Sequence, residues 1–137
     1  MTLTEFLMVR ITEDEEVART AAGWDRSGRE RVPGVWIRSG VNSVESVRGL
    51  VVYGDGPAPN DAEAEHVARF DPARVLAECQ VKRAIVEDAQ RSQASLESQR
   101  LPATDAVNGH VIAQRRVVRW LALPYADHPD YQQEWRP

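Results

Sequence analysis

The side chains best suited to chemistry near neutral pH are three histidines that stand apart along the chain, His66, His110 and His128. Two have acidic company: Asp71 follows His66, and Asp127 and Asp130 bracket His128. A fold that gathered His66, Asp71, His128 and Asp130 would create a carboxylate–imidazole set able to hold a divalent cation, and a small metal-dependent, hydrolase-like enzyme would follow. The spacing argues against it, because no two histidines sit four apart as in a His-Glu-x-x-His helix, and Cys79 is the only cysteine. The plainer reading makes His66 a helix-end residue whose ring packs while it bonds a carbonyl. Asp127 and Asp130 then shape turns around His128-Pro129. No bound metal and no cofactor are expected.

A nucleophile is equally hard to find. Cys79 falls on the apolar stripe of a helix, where a small core residue belongs. No Gly-x-Ser-x-Gly elbow occurs, and Gly54-Asp55-Gly56 lacks the following helix start of a phosphate cradle. No residue is assigned a catalytic role, and the expectation is a protein that is not an enzyme.

Arg115, Arg116 and Arg119 form a basic cluster beside Trp120, a combination that can contact phosphates and stack on bases. Against a nucleic-acid role stands the charge of the whole: 17 Lys+Arg and 21 Asp+Glu leave −4 at pH 7, where a polyanion-coating domain carries a basic excess. Charge pairing with the acidic first helix or with another subunit is the favoured use of these arginines. Trp24, Trp36, Trp120 and Trp135 read as core or interface anchors.

These residues need a scaffold, and 137 residues with 42% hydrophobic and 28% charged side chains suffice for one ordinary globular domain. A lone cysteine permits no internal disulfide, no apolar run reaches a membrane span, and Met1 leads into a polar segment rather than a signal peptide. A cytoplasmic location is expected. Thr2-Leu3-Thr4-Glu5 spells a capping box that starts a helix over about 3–21, with Leu3, Phe6, Leu7, Arg10, Ile11, Asp14, Val17, Ala18 and Ala21 along one mostly apolar stripe. Its run Glu13 to Glu16 points in four directions and reads as a solvated face. Between about 32 and 54 the pattern changes to Gly, Pro and short β-branched runs. Val35-Trp36-Ile37 and Leu50-Val51-Val52-Tyr53 read as strands, and Ser39 to Gly49 as either a third short strand or an irregular loop. Gly54 to Pro59 ends the sheet.

A short helix follows over about 61–70, capped by Asp61 with Ala64, Val67 and Ala68 inward. Asp71-Pro72 then starts a long one over about 72–99, since Asp accepts the orphan N–H groups and Pro has none to lose. The polar distal half of that helix reads as projecting into solvent or pairing with another chain. After a break at Leu101-Pro102-Ala103, a last helix over about 106–123 carries Val107, Val111, Gln114, Val118 and Leu121 on one stripe. The tail 124–137 is polar but holds Tyr125, Tyr131 and Trp135, rings that would pin it to the surface.

The segments AEHVARFDPARVLAE (64–78), ALPYADHPDYQQEWRP (122–137) and EFLMVRITEDEEVAR (5–19) resemble a family of short uncharacterised proteins from actinobacteria and their phages, classed as a domain of unknown function. The resemblance implies a bacterial or prophage source and carries no activity with it. If the tail folds against the joint at His66–Asp71, then His66, Asp71, Tyr125, Asp127, His128 and Asp130 would line a polar pocket. The expected architecture is α+β: mainly helical, with a two- or three-stranded antiparallel sheet inserted between the first helix and a C-terminal helical portion. The expected role is a protein-interaction or accessory module, with a homodimer through the first or the long helix among its forms.

Overall fold

A computed structural model describes residues 1–23, 34–40, 42–51, 59–98 and 104–137. Trp24, Val41, Val52, Tyr53, residues 54–58 and the 101–103 break lie outside the described residues. The elements are α1 (Leu3–Ala22), β1 (Ile37–Ser39), β2 (Ser43–Ser46), β3 (Gly49–Leu50), α2 (Asp61–Arg69), α3 (Pro72–Glu97) and α4 (Asp105–Ala122). Two 3-10 turns follow at Leu123–Tyr125 and Gln133–Trp135. The fold is α+β and mostly helical, with a three-stranded antiparallel sheet of order β1-β2-β3 placed between α1 and α2 in sequence. Among the described residues no helix is long and apolar enough to cross a membrane. The chain divides into two compact units, one of residues 1–12 and 80–137, the other of residues 13–79.

In the first unit α1 begins on its capping box: the Glu5 N–H donates to Thr2 Oγ1 at 3.2 Å, and the Thr2 N–H donates to Glu5 Oε2 at 2.7 Å. The bond from the Thr2 backbone N–H foremost, with the Thr2 hydroxyl second, holds the Glu5 carboxyl below its ordinary range. Phe6, Leu7 and Ile11 of α1 are buried, as are Val86 and Ala89 of α3, Val111, Val118 and Ala122 of α4, and Tyr131 and Trp135 of the tail. Phe6 is the hub: the rings of Tyr125, His128, Tyr131 and Trp135 lie 5.1–6.3 Å from it, three of them edge-on. The distal part of α3 is tied to α4. Asp88 Oδ2 accepts from Gln114 Nε2, and Gln93 Oε1 from Arg115 Nη2, each at 2.6 Å, binding it to α4.

In the second unit the strand assignments shift. Trp36 does not pair in the ladder, because its N–H donates to Asp71 Oδ2 at 3.2 Å, so β1 starts only at Ile37. The centre of the sheet is β2, in the stretch the sequence left open, and its Val44 is fully buried. A four-residue strand with one inward apolar side chain gives a hydrophobicity pattern too short to register. β3 ends at Leu50, although the Val51 N–H still reaches the Val44 carbonyl at 2.8 Å.

The cap of α2 is Asn60 rather than Asp61: Asn60 Oδ1 accepts from the Glu63 N–H at 2.9 Å, and Glu63 Oε2 accepts from the Asn60 N–H at 2.7 Å. Asp61 sits one position later and joins Glu65 in an ion cluster around Arg38 of β1. Bonds from Arg69, then Arg38, hold the Glu65 carboxyl below its ordinary range, and Glu65 in turn raises the Arg38 guanidinium. In α1 the inward residues here are Ala18 and Ala22, while Val17 is 69% exposed. Helical rotation places Val17 about 100° from Ala18, onto a different face.

Candidate functional site

The residues of the predicted histidine site fall in the two units. In the unit of residues 13–79, His66 is exposed and its ring lies 4.6 Å from that of Phe70, while the Phe70 N–H donates to the His66 carbonyl. Asp71 is committed twice over, its Oδ1 accepting from the Arg74 N–H at 2.8 Å as the α3 cap and its Oδ2 from the Trp36 N–H.

In the other unit Tyr125 sits edge-on to Phe6, with Lys82 Nζ 6.0 Å from its ring centre. His128 Nδ1 accepts from the Asp130 N–H at 3.1 Å and lies 3.9 Å from Asp130 Oδ2, and its Nε2 contacts the Arg10 guanidinium. Asp127 is exposed within the turn before His128. His110 is exposed on α4. Among the described residues no three His, Cys, Asp or Glu side chains gather where they could hold a metal ion. Cys79 is buried, a core position.

The arginine cluster is better placed to meet a ligand. Thr104 caps α4 by accepting from the Val107 N–H at 3.3 Å, and the turns that follow bury Val111, Val118 and Ala122. At 100° per residue, Ile112, Arg116, Trp120 and Leu123 then share a face turned away from that core. All four are exposed, Ile112 by 60% and Trp120 by 52%. Trp120 is therefore no core anchor. Arg115 and Arg119 flank this face, and Asp105 is the lone acidic residue of the helix, at its far end. Among the described residues no carboxylate binds these arginines within their unit: Arg115 bonds the neutral Gln93 amide, and Arg119 reaches the Arg136 carbonyl at 3.5 Å. Sequence reasoning found the arginines but missed Ile112 and Leu123. The signal was the i, i+4, i+8 spacing of Ile112, Arg116 and Trp120, masked by the stronger apolar stripe on the other side.

The chain matches, over residues 1–137, the family described as "Family of unknown function (DUF6221)". It belongs to that family. No curated protein matches it, and no solved structure does. Membership brings no reaction with it.

Proposed function

We propose that the chain is a single-domain, non-enzymatic protein-interaction module of bacterial or prophage origin, working in the cytoplasm, and that the outer face of α4 is its docking surface. The observation that carries this is the exposed stripe Ile112, Arg116, Trp120 and Leu123. Trp and Arg are the residues that most often dominate binding energy at protein interfaces, and apolar residues on a helix face suit a groove or a second helix. Charge selects the partner. With Arg115, Arg116 and Arg119 against one distant Asp105, the occupant this face fits is an acidic amphipathic helix of another protein.

The origin rests on the resemblance of the segments at 5–19, 64–78 and 122–137. The location rests on the lone cysteine.

The test uses two synthetic amphipathic helices, each with Leu along one face, one flanked by Glu and the other by Lys, titrated against the purified chain by fluorescence anisotropy. The Glu-flanked peptide is expected to bind, and Trp120→Ala to weaken it at least about tenfold with the fold intact. Equal binding of the two peptides, or an unchanged Trp120→Ala variant, overturns the proposal. Tighter, steeply salt-dependent binding of a single-stranded oligonucleotide also overturns it, in favour of a nucleic-acid factor acting through Arg115, Arg116, Arg119 and Trp120. Concentration-dependent dimerisation abolished by Trp120→Ala overturns it in favour of a second copy.

A further inference from the structure

We infer that a second site, on the flank of α4 that carries Arg115 and Arg119, binds a small apolar carboxylate. In the unit of residues 1–12 and 80–137, the start of α1, the end of α3, α4 and the last 3-10 turn enclose a groove of about 500 Å³. That is within the usual range for small-molecule sites, about 300–1,000 Å³. Its apolar lining includes Leu3, Val118 and Trp135, and its charged lining is Arg115, Arg119 and Glu97.

The polar groups form a chain that leaves the cations available. Gln93 Nε2 donates to Glu97 Oε1, and its Oε1 accepts from Arg115 Nη2 at 2.6 Å. Glu97 thus engages an amide, and a neutral group orients Arg115 without cancelling its charge. Arg119 reaches only the Arg136 carbonyl among the described residues, at 3.5 Å, so most of its five donors can turn to a ligand. Two guanidiniums at one side of an apolar groove match a carboxylate that carries a hydrocarbon or aromatic body: the fork recognises the two oxygens, and Leu3, Val118 and Trp135 take the rest. The first turn of α1 borders the groove at Thr2 and Thr4 and adds the positive end of a helix dipole. Inorganic phosphate would satisfy the arginines and leave the apolar lining in water. An alkylamine would face two like charges.

The experiment is isothermal titration of the full chain with octanoate, octanol, octylamine and inorganic phosphate, followed in parallel by tryptophan emission. Octanoate is expected to bind saturably at one site, with octanol and phosphate at least about tenfold weaker and octylamine weaker still. Arg119→Gln is expected to weaken octanoate about tenfold, and Arg119→Lys by less, since it keeps the charge and loses the fork. Both variants lie on the surface, and circular dichroism confirms their fold. Octanol or phosphate binding as well as octanoate, no saturable octanoate binding, or an unchanged Arg119→Gln variant each overturns the inference. Trp120→Ala should leave octanoate binding unchanged, because Trp120 is not part of the groove; the docking face and the groove share Arg115 and Arg119, and this variant tells the two apart.

Discussion

Replacing Phe6 by Leu keeps an apolar side chain of similar bulk and removes only the ring, so it isolates what the ring contributes. Phe6 is fully buried and meets the rings of Tyr125, Tyr131 and Trp135 at 6.3, 6.1 and 5.1 Å. Each aromatic pair is worth about 0.5–1.5 kcal/mol beyond its buried area. Three pairs bracket about 1.5–4.5 kcal/mol, and because neighbours in one cluster share their energy we expect about 2–3 kcal/mol. That is a large part of the roughly 5–15 kcal/mol of a small domain, yet it leaves the protein folded. Urea denaturation followed by circular dichroism measures it, with Trp135→Leu and the double variant completing a cycle. A coupling of at least about 0.5 kcal/mol is expected between the two positions. A Phe6→Leu cost below about 1 kcal/mol, or single effects that add within about 0.3 kcal/mol, would refute the idea that the tail is held through this ring. Trp120→Leu is the contrast, expected to change stability by no more than about 0.5 kcal/mol because its ring is half exposed.

Asp71→Ala removes both the α3 cap and the acceptor of the Trp36 N–H, and should cost about 1–3 kcal/mol in the same denaturation assay. Asp71→Asn, which keeps one oxygen, should cost less, and equal costs for the two would contradict the double role. Acid should also weaken the fold. The Glu5 and Glu65 carboxyls are lowered in the folded state, so their contribution is present above the ordinary value of 4.5 and is lost as pH falls below it. Thermal melts of Glu65→Gln should therefore depend less on pH than wild type below 4.5. Parallel curves for the two proteins would remove Glu65 from the account.

What could be read from the chain was local. The Thr2–Glu5 box and the Asp71-Pro72 start depend on residues three apart or fewer, and both stand in the structure with their hydrogen bonds made. The small sheet was legible as a class but not in detail, because Trp36 gives its N–H to Asp71, 35 residues away, and one buried valine marks the central strand. Asn60 and Asp61 are both good caps in isolation, and the choice fell to Asn60 once Asp61 was drawn to Arg38 on a distant strand. The site followed the same rule. The arginines were visible as a cluster, whereas the meeting of Arg10 with His128, 118 residues apart, and the groove beside Arg119 arise only when remote segments pack.

The Phe6 hub also sets an order of events during synthesis. Phe6 leaves the ribosome long before the rings that cover it, from Tyr125 to Trp135, are made. In that interval the nascent chain must carry the ring without these partners, and this unit of the fold closes only after the distal segment emerges. A product truncated before residue 125 would keep Phe6 exposed for good, so a broken message yields a chain that bears its own apolar mark for chaperones and proteases.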